Sequence, residues 1–200
     1  MMQLQAINLH CVRGGRSVFR DCSFALKAGE LLEVTGPNGS GKTSLLRLIA
    51  GLGEATAGVL TLVSGQAELS IGQQAHFIAH SDAVKTALTV RENIVFWTAF
   101  LGGSQANEAL AAFDLERLAP YSAGLLSSGQ KRRLGLARLL AVPRVLWLLD
   151  EPTVGLDQAS QRKLSEVMNA HLGKGGMIVA ATHVPLEVEP LVRLDLGALL

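Results

Sequence analysis

The stretch Gly36, Pro37, Asn38, Gly39, Ser40, Gly41, Lys42, Thr43 limits what this chain can fold into more than any other. It fits the pattern G-x-x-x-x-G-K-[ST], a phosphate-binding loop that works only between a strand and a helix. Both flanks comply. Leu31 to Thr35 is an apolar, partly β-branched run that reads as a buried strand. Ser44 to Ala50 reads as a helix that Gly51 is placed to end. Gly36, Gly39 and Gly41 let the backbone wrap closely enough to aim N–H groups at phosphate oxygens, and the helix N-terminus adds partial positive charge. Lys42 has the reach for the β- and γ-phosphates of a nucleotide, and the Thr43 hydroxyl suits Mg²⁺. A glycine-rich turn beside a surface lysine is the plain alternative, but it leaves both flanks unexplained.

The rest of the chain fits around that loop. Strand signatures run over Leu4 to Leu9, Val18 to Leu26, Val59 to Val63, His76 to Ala79 and Met177 to Ala181. Residues 192–200 read as an edge strand pair. Val145 to Leu149 is a continuous apolar run, as expected of a central parallel strand buried on both faces. Helices are predicted over 90–101, 104–113, 128–141 and 158–172, with Gly102, Gly103 and Pro120 as punctuation. The expectation is one α/β domain over residues 1–200. Its nucleotide core covers about 1–88 and 142–200, with a parallel sheet and an antiparallel N-terminal β edge, and a helical subdomain occupies about 89–141.

Composition narrows the function classes. A formal net charge of +1 gives no electrostatic case for nucleic acid. Mean hydropathy is +0.31, high for a chain with no stretch fit to span a bilayer. The richest stretch, Leu134 to Leu149, is broken by Arg138, Pro143 and Arg144. The first residues lack the basic-then-apolar order of a signal peptide. A cytosolic protein with apolar surface to spare for a partner is expected. Cys11 and Cys22 have no metal spacing and read as free, buried thiols. His10, His76 and His171 read as solvated or structural.

Two further stretches carry chemistry. The strand from Val145 delivers Asp150 to the carboxyl end of the sheet, where it is placed to hold Mg²⁺. Glu151 follows at once and points elsewhere, where a carboxylate can orient a water and take its proton. Leu126, Ser127, Ser128, Gly129, Gln130 then opens a helix, with Ser127 in the capping position. Taken alone, each has a bland reading: two exposed acids, and an ordinary helix cap.

Together and in this order, these motifs resemble those of the ATP-binding-cassette (ABC) ATPases, a P-loop NTPase family, over essentially the whole chain. The resemblance implies two cassettes facing head to tail. Each ATP would lie between one copy's phosphate loop and the Ser127, Gly129 and Gln130 of the other, so that ATP drives a homodimer together and hydrolysis releases it. It also implies that Gly155 to Asp157 senses the partner cassette. Glu151, His183 and Lys42 would be catalytic, with His183 as the γ-phosphate switch. Thr43 and Asp150 would serve the metal.

The chain departs from the family pattern in places. Arg13 stands where an aromatic residue usually stacks on adenine. Ser81 stands where a glutamine loop is usual, with His80, Gln73 or Gln74 as alternatives. Ser128 replaces a common glycine. Local features further resemble the haem-exporter ATPase subunits of cytochrome c maturation: His80, Lys85 and Thr89 with Glu92, Asn93 and Ile94, and Thr182, His183, Pro185 and Leu186.

That subfamily works with an integral membrane permease subunit (CcmB-like) at the cytoplasmic face of the bacterial inner membrane. Val95, Phe96, Trp97 and Phe100 are expected mainly in the core of the helical region, with one or two lining a groove for that permease. The rival reading is a soluble cassette that acts as a scaffold or switch. A small-molecule kinase explains neither residues 126–130 nor His183.

Overall fold

The computed structural model describes residues 2–184, 186, 188 and 192–199. Pro185 and Leu200, singled out above, lie outside them. The chain forms two compact units. One is Met1–Ala79, Val145–Pro152 and Met168–Leu200; the other is His80–Arg144 and Thr153–Val167.

The first unit starts with strands β1 (Gln3–Arg13) and β2 (Arg16–Lys27). Strand β3 (Leu31–Thr35) leads through the glycine loop into helix α1 (Lys42–Ile49). Gly51, at φ +72°, ends α1 as expected, and Leu52 N–H donates to the Arg47 carbonyl. Strands β4 (Ala57–Val63) and β5 (Ala75–Ile78) follow. In the second unit, helices α2 (Val90–Leu101), α3 (Ala106–Ala112) and α4 (Ser128–Ala141) cover the segment expected to be helical. The chain then supplies β6 (Leu146–Asp150), helix α5 (Gln158–Gly173), β7 (Met177–Ala181) and β8 (Val192–Asp195).

The parallel sheet has the order β5-β6-β7-β3-β8. All five residues of β6 and of β7 are buried, which is why these strands read as unbroken apolar runs. One face of the sheet sends Leu32, Val34, Leu146, Leu148, Met177 and Val179 into a core shared with α1 and with Leu4, Leu9, Phe19 and Leu26 of the N-terminal strands. The other face carries Trp147, whose ring stacks on His171 with centroids 3.8 Å apart.

The antiparallel strands are present as a sheet of their own, ordered β2-β1-β4. Strand β4 pairs with β1 from Ile7↔Val59 to Gln3↔Val63. The strand pair expected over 192–200 is instead a single strand. β8 runs parallel to β3 at the sheet edge, and residues 196–199 then coil into a short 3₁₀ turn. Leu196 is fully buried, and Gly197 N–H donates to Asp195 Oδ1 at 2.8 Å, which closes the turn after β8. Cys11 and Cys22 are free and buried, and burial pushes the Cys22 thiol up to about 11.

Candidate functional site: a phosphate loop and a helix cap

The phosphate loop is held open by its glycines. Gly41 sits at φ +98° at the N-cap of α1 and brings no side-chain oxygen to the first-turn N–H groups. A β-carbon at Gly41 would collide with Val18 and Phe19 of β2. At Gly36, φ is +133° and a β-carbon would meet Ser40 Oγ. Among the described residues the buried Ser40 hydroxyl has no hydrogen-bond partner, which costs free energy until an acceptor or donor meets it. Behind the loop, Thr35 Oγ1 donates to the Leu194 carbonyl, and the Gly197 turn packs on Pro37. The edge strand therefore braces the loop.

Lys42 is buried, and its ammonium donates to the carbonyls of Gly36 (2.7 Å) and Pro37 (3.2 Å). It also lies 3.0 Å from His183 Nε2. With a lysine as donor, Nε2 is the acceptor, which assigns the ring proton to Nδ1. Thr43 Oγ1 donates to Asp150 Oδ2 at 2.9 Å, across 107 positions of sequence.

Glu151 adopts φ +48°, a left-handed backbone that costs a side-chain-bearing residue about 1–2 kcal/mol. Its N–H still donates to the Ala181 carbonyl, so the turn happens at the end of the sheet. That turn brings its carboxylate to His183, with the backbone N–H at 3.3 Å and ring Nε2 at 3.6 Å. His183 is itself set by Thr182, whose hydroxyl donates to the Val184 carbonyl and accepts from the Val184 N–H. The sequence reading named Thr182 only as part of the Thr182–Leu186 stretch and gave it no turn-setting role, although a threonine between a strand end and a histidine is a turn signal.

Thr43 and Asp150 offer hard oxygen donors. Among the described residues no group of three or more His, Cys, Asp or Glu could cage a metal. That donor set fits Mg²⁺, which keeps its waters and takes most of its protein contacts from one or two side chains plus phosphate.

In the second unit, Ser127 and Gln130 form a reciprocal capping box at the start of α4. Gln130 N–H donates to Ser127 Oγ at 3.2 Å, and Ser127 N–H donates to Gln130 Oε1 at 2.9 Å. The Gln130 carbonyl oxygen is therefore committed to the cap, while the Ser127 hydroxyl keeps its own proton to donate. Ser127 is exposed. Gly129 lets the Gly155 carbonyl approach, since a β-carbon there would stand 3.1 Å from it. Asp157 caps α5 by accepting from Ser160 N–H at 2.8 Å, and its carboxyl is held below the usual range by the Ser160 hydroxyl and N–H.

Other sequence expectations change. Gln74 is buried and ties down the loop 66–70, accepting from Gln66 N–H and donating to the Gln66 and Leu69 carbonyls. Gln73 accepts from Ser70 N–H. Both glutamines are thus occupied by local loop structure. His80 and Ser81 are exposed. Arg13 lies against Gly53. On α2 the expected core assignment fails for most of the cluster: Val95, Phe96 and Phe100 are exposed, Phe100 by 70%. Trp97 is held by the guanidinium of Arg138, 4.0 Å above its ring, and Phe96 by Lys85 at 4.4 Å. Burial pulls Arg138 down to about 10, still charged at neutral pH.

Residues 19–154 match the family described as "ABC transporter". A Nitrobacter winogradskyi protein named "Cytochrome c biogenesis ATP-binding export protein CcmA" is 51% identical over 189 residues, 94% of each chain. A Brucella abortus protein of the same name is 44% identical over 200 residues, 99% of this chain and 93% of that one. A solved "ATP binding subunit of ABC transporter" superposes with TM-score 0.82 at 26% identity, over 90% of this chain and 79% of that one. A putative ABC transporter ATP-binding protein from Pyrococcus furiosus gives TM-score 0.84 at 23% identity, over 98% of each chain, a likeness of fold.

Proposed function

The chain belongs to the ABC transporter family of ATP-binding proteins, and on that premise we propose that it is the ATP-hydrolysing motor of a haem-handling exporter in c-type cytochrome biogenesis. One observation carries the hydrolytic reading: Lys42, His183 and Glu151 form one hydrogen-bonded row, and Thr43 with Asp150 another, at the phosphate loop. The near-full-length likeness to cytochrome c biogenesis export proteins, at about half identity, supports the cargo.

The residues divide the work. When ATP enters, its phosphate oxygens replace the Gly36 and Pro37 carbonyls around the Lys42 ammonium, which neutralises charge that grows as the γ-phosphate leaves. The loop N–H groups and the Ser40 hydroxyl supply further donors. Thr43 and Asp150 would hold Mg²⁺, which adds charge neutralisation. Glu151 orients the attacking water and takes its proton. His183, released from Lys42, donates to the γ-phosphate. Ser127 donates its free hydroxyl proton to the ATP held by a second copy, with Gly129 and Gln130 beside it, so the working state is a homodimer.

A separate membrane permease completes the exporter. Among the described residues no helix is long and apolar enough to cross a membrane. The exposed aromatic face of α2 suits a short apolar helix from such a subunit, which supports a peripheral position at the cytoplasmic face of the bacterial inner membrane. Complementation tests this. In a bacterium lacking its own cytochrome c biogenesis ATPase, the chain with its permease should restore haem-stained c-type cytochromes and pellet with membranes only when the permease is present. ATP hydrolysis without either result would favour the soluble scaffold.

A further inference from the structure

The segment after β5 carries no glutamine at its expected place, and Gln73 and Gln74 are engaged elsewhere. It is nevertheless tied firmly within the second unit. Asp82 accepts from Arg132 Nη1 at 2.9 Å, with the Arg132 side chain only 5% exposed. One helical turn further along α4, Gly135 faces Asp82 so closely that a β-carbon there would stand 3.2 Å from the Asp82 carbonyl oxygen and Cβ. Arg132 and Gly135 thus form an i, i+3 pair on one face of α4: a charge to hold the carboxylate and a bare backbone to admit it. Asp82 also acts on Arg138, raising its proton affinity. At the other end of the segment, buried Asn93 of α2 accepts from Lys85 N–H at 2.8 Å and donates to the Lys85 carbonyl at 2.9 Å. Residues 82–85, which have no regular secondary structure, are clamped to two helices.

Helix α4 starts at the Ser127 cap, five residues before Arg132. A tilt of α4 at Arg132 moves Ser127 with it, because the capping box makes the serine part of the helix. We propose that Asp82 and Arg132 are a positioning pair that sets the angle of α4 and so aims Ser127 during hydrolysis. This rests on the reading of the chain as a paired ATPase. Asp82 touches no reacting atom; it acts through the helix.

The test uses the full-length chain, Mg-ATP turnover, and a fluorescent ATP analogue for binding. Asp82→Ala should lower kcat about 20-fold or more, as misplacement by an ångström does, with the analogue's Kd changed less than about threefold. Gly135→Ala, whose β-carbon must push Asp82 back by a few tenths of an ångström, should lower kcat about tenfold with the analogue's Kd changed less than about threefold. A purely structural role predicts that Gly135→Ala lowers the melting temperature while kcat per folded chain stays unchanged. The double exchange Asp82→Arg with Arg132→Asp should recover a large part of the lost turnover.

Parallel losses of kcat and binding in Asp82→Ala would overturn the proposal. So would an unchanged kcat in both single variants alongside a Ser127→Arg control that is inactive, and the paired-ATPase reading would then stand without it. If Ser127→Arg also hydrolyses ATP normally, the paired reading fails and the proposal with it.

Discussion

Replacing His171 by phenylalanine should flatten the response of this protein to mild acid. The His171 ring is stacked on Trp147 at an interplanar angle of 7°, and no room remains for a β-carbon at Gly176. Burial pulls its pKa from 6.5 to about 4, helped by Lys174 and opposed by the Met177 and Val145 carbonyls. The folded value lies below the unfolded one. The stabilising effect is therefore fully present above pH 6.5 and is lost as pH falls toward about 4, because the unfolded chain takes up the proton first. Between pH 7.5 and 5.0 this linkage comes to about 2 kcal/mol for a dry site, and solvent at the part-exposed ring edge reduces it to between about 1 and 2 kcal/mol. Urea unfolding at the two pH values measures it. The wild-type chain should lose that much more stability than His171→Phe over the interval. The comparison cancels the other titrating groups, and phenylalanine keeps a flat ring against Trp147. Equal losses in the two proteins would refute the assignment of a buried, neutral imidazole.

Three further outcomes concern the phosphate site. Glu151→Gln removes the proposed base but keeps the length of the side chain, and with saturating Mg-ATP it should accumulate as a nucleotide-bound dimer; a light-scattering mass that stays monomeric counts against the two-chain site. His183→Ala should cut turnover by about 10²- to 10³-fold, the usual loss of one transition-state donor, with ATP affinity within about threefold; equal losses in both point to a structural histidine. Gly41→Ala forces a β-carbon into Val18 and Phe19 at φ +98°, and should abolish measurable ATP binding in a calorimetric titration while Gly14→Ala, also left-handed but with open space around it, does not.

Much of the fold could be read because its determinants are local. The capping boxes Thr89–Glu92 and Ser127–Gln130 fix where α2 and α4 begin, and Gly102 at φ +77° fixes where α2 ends. The phosphate loop is equally local: its glycines do the same thing in any strand-to-helix turn. What stayed hidden depends on distant partners. Nothing in Ala57 to Val63 says that it pairs with β1 rather than with the parallel sheet. The four residues of β8 alternate between exposed and half-buried, and only β3 beside them makes them a strand. On α2, the apolar run around Phe96 resembles core in composition, yet the helix buries Val90, Asn93, Ile94 and Thr98 instead. Asp82 and Arg132, 50 positions apart, had no local pattern to betray them.

The left-handed backbone at Glu151 sets thermal endurance against activity at a single position. Glycine, asparagine and aspartate tolerate that conformation better than glutamate, and none of them puts a carboxylate where glutamate's longer side chain does. A library randomised at 151 and screened only for survival on heating would enrich these hardier residues and discard hydrolysis. Efforts to toughen this protein for crystallisation or reconstitution should therefore leave that codon fixed.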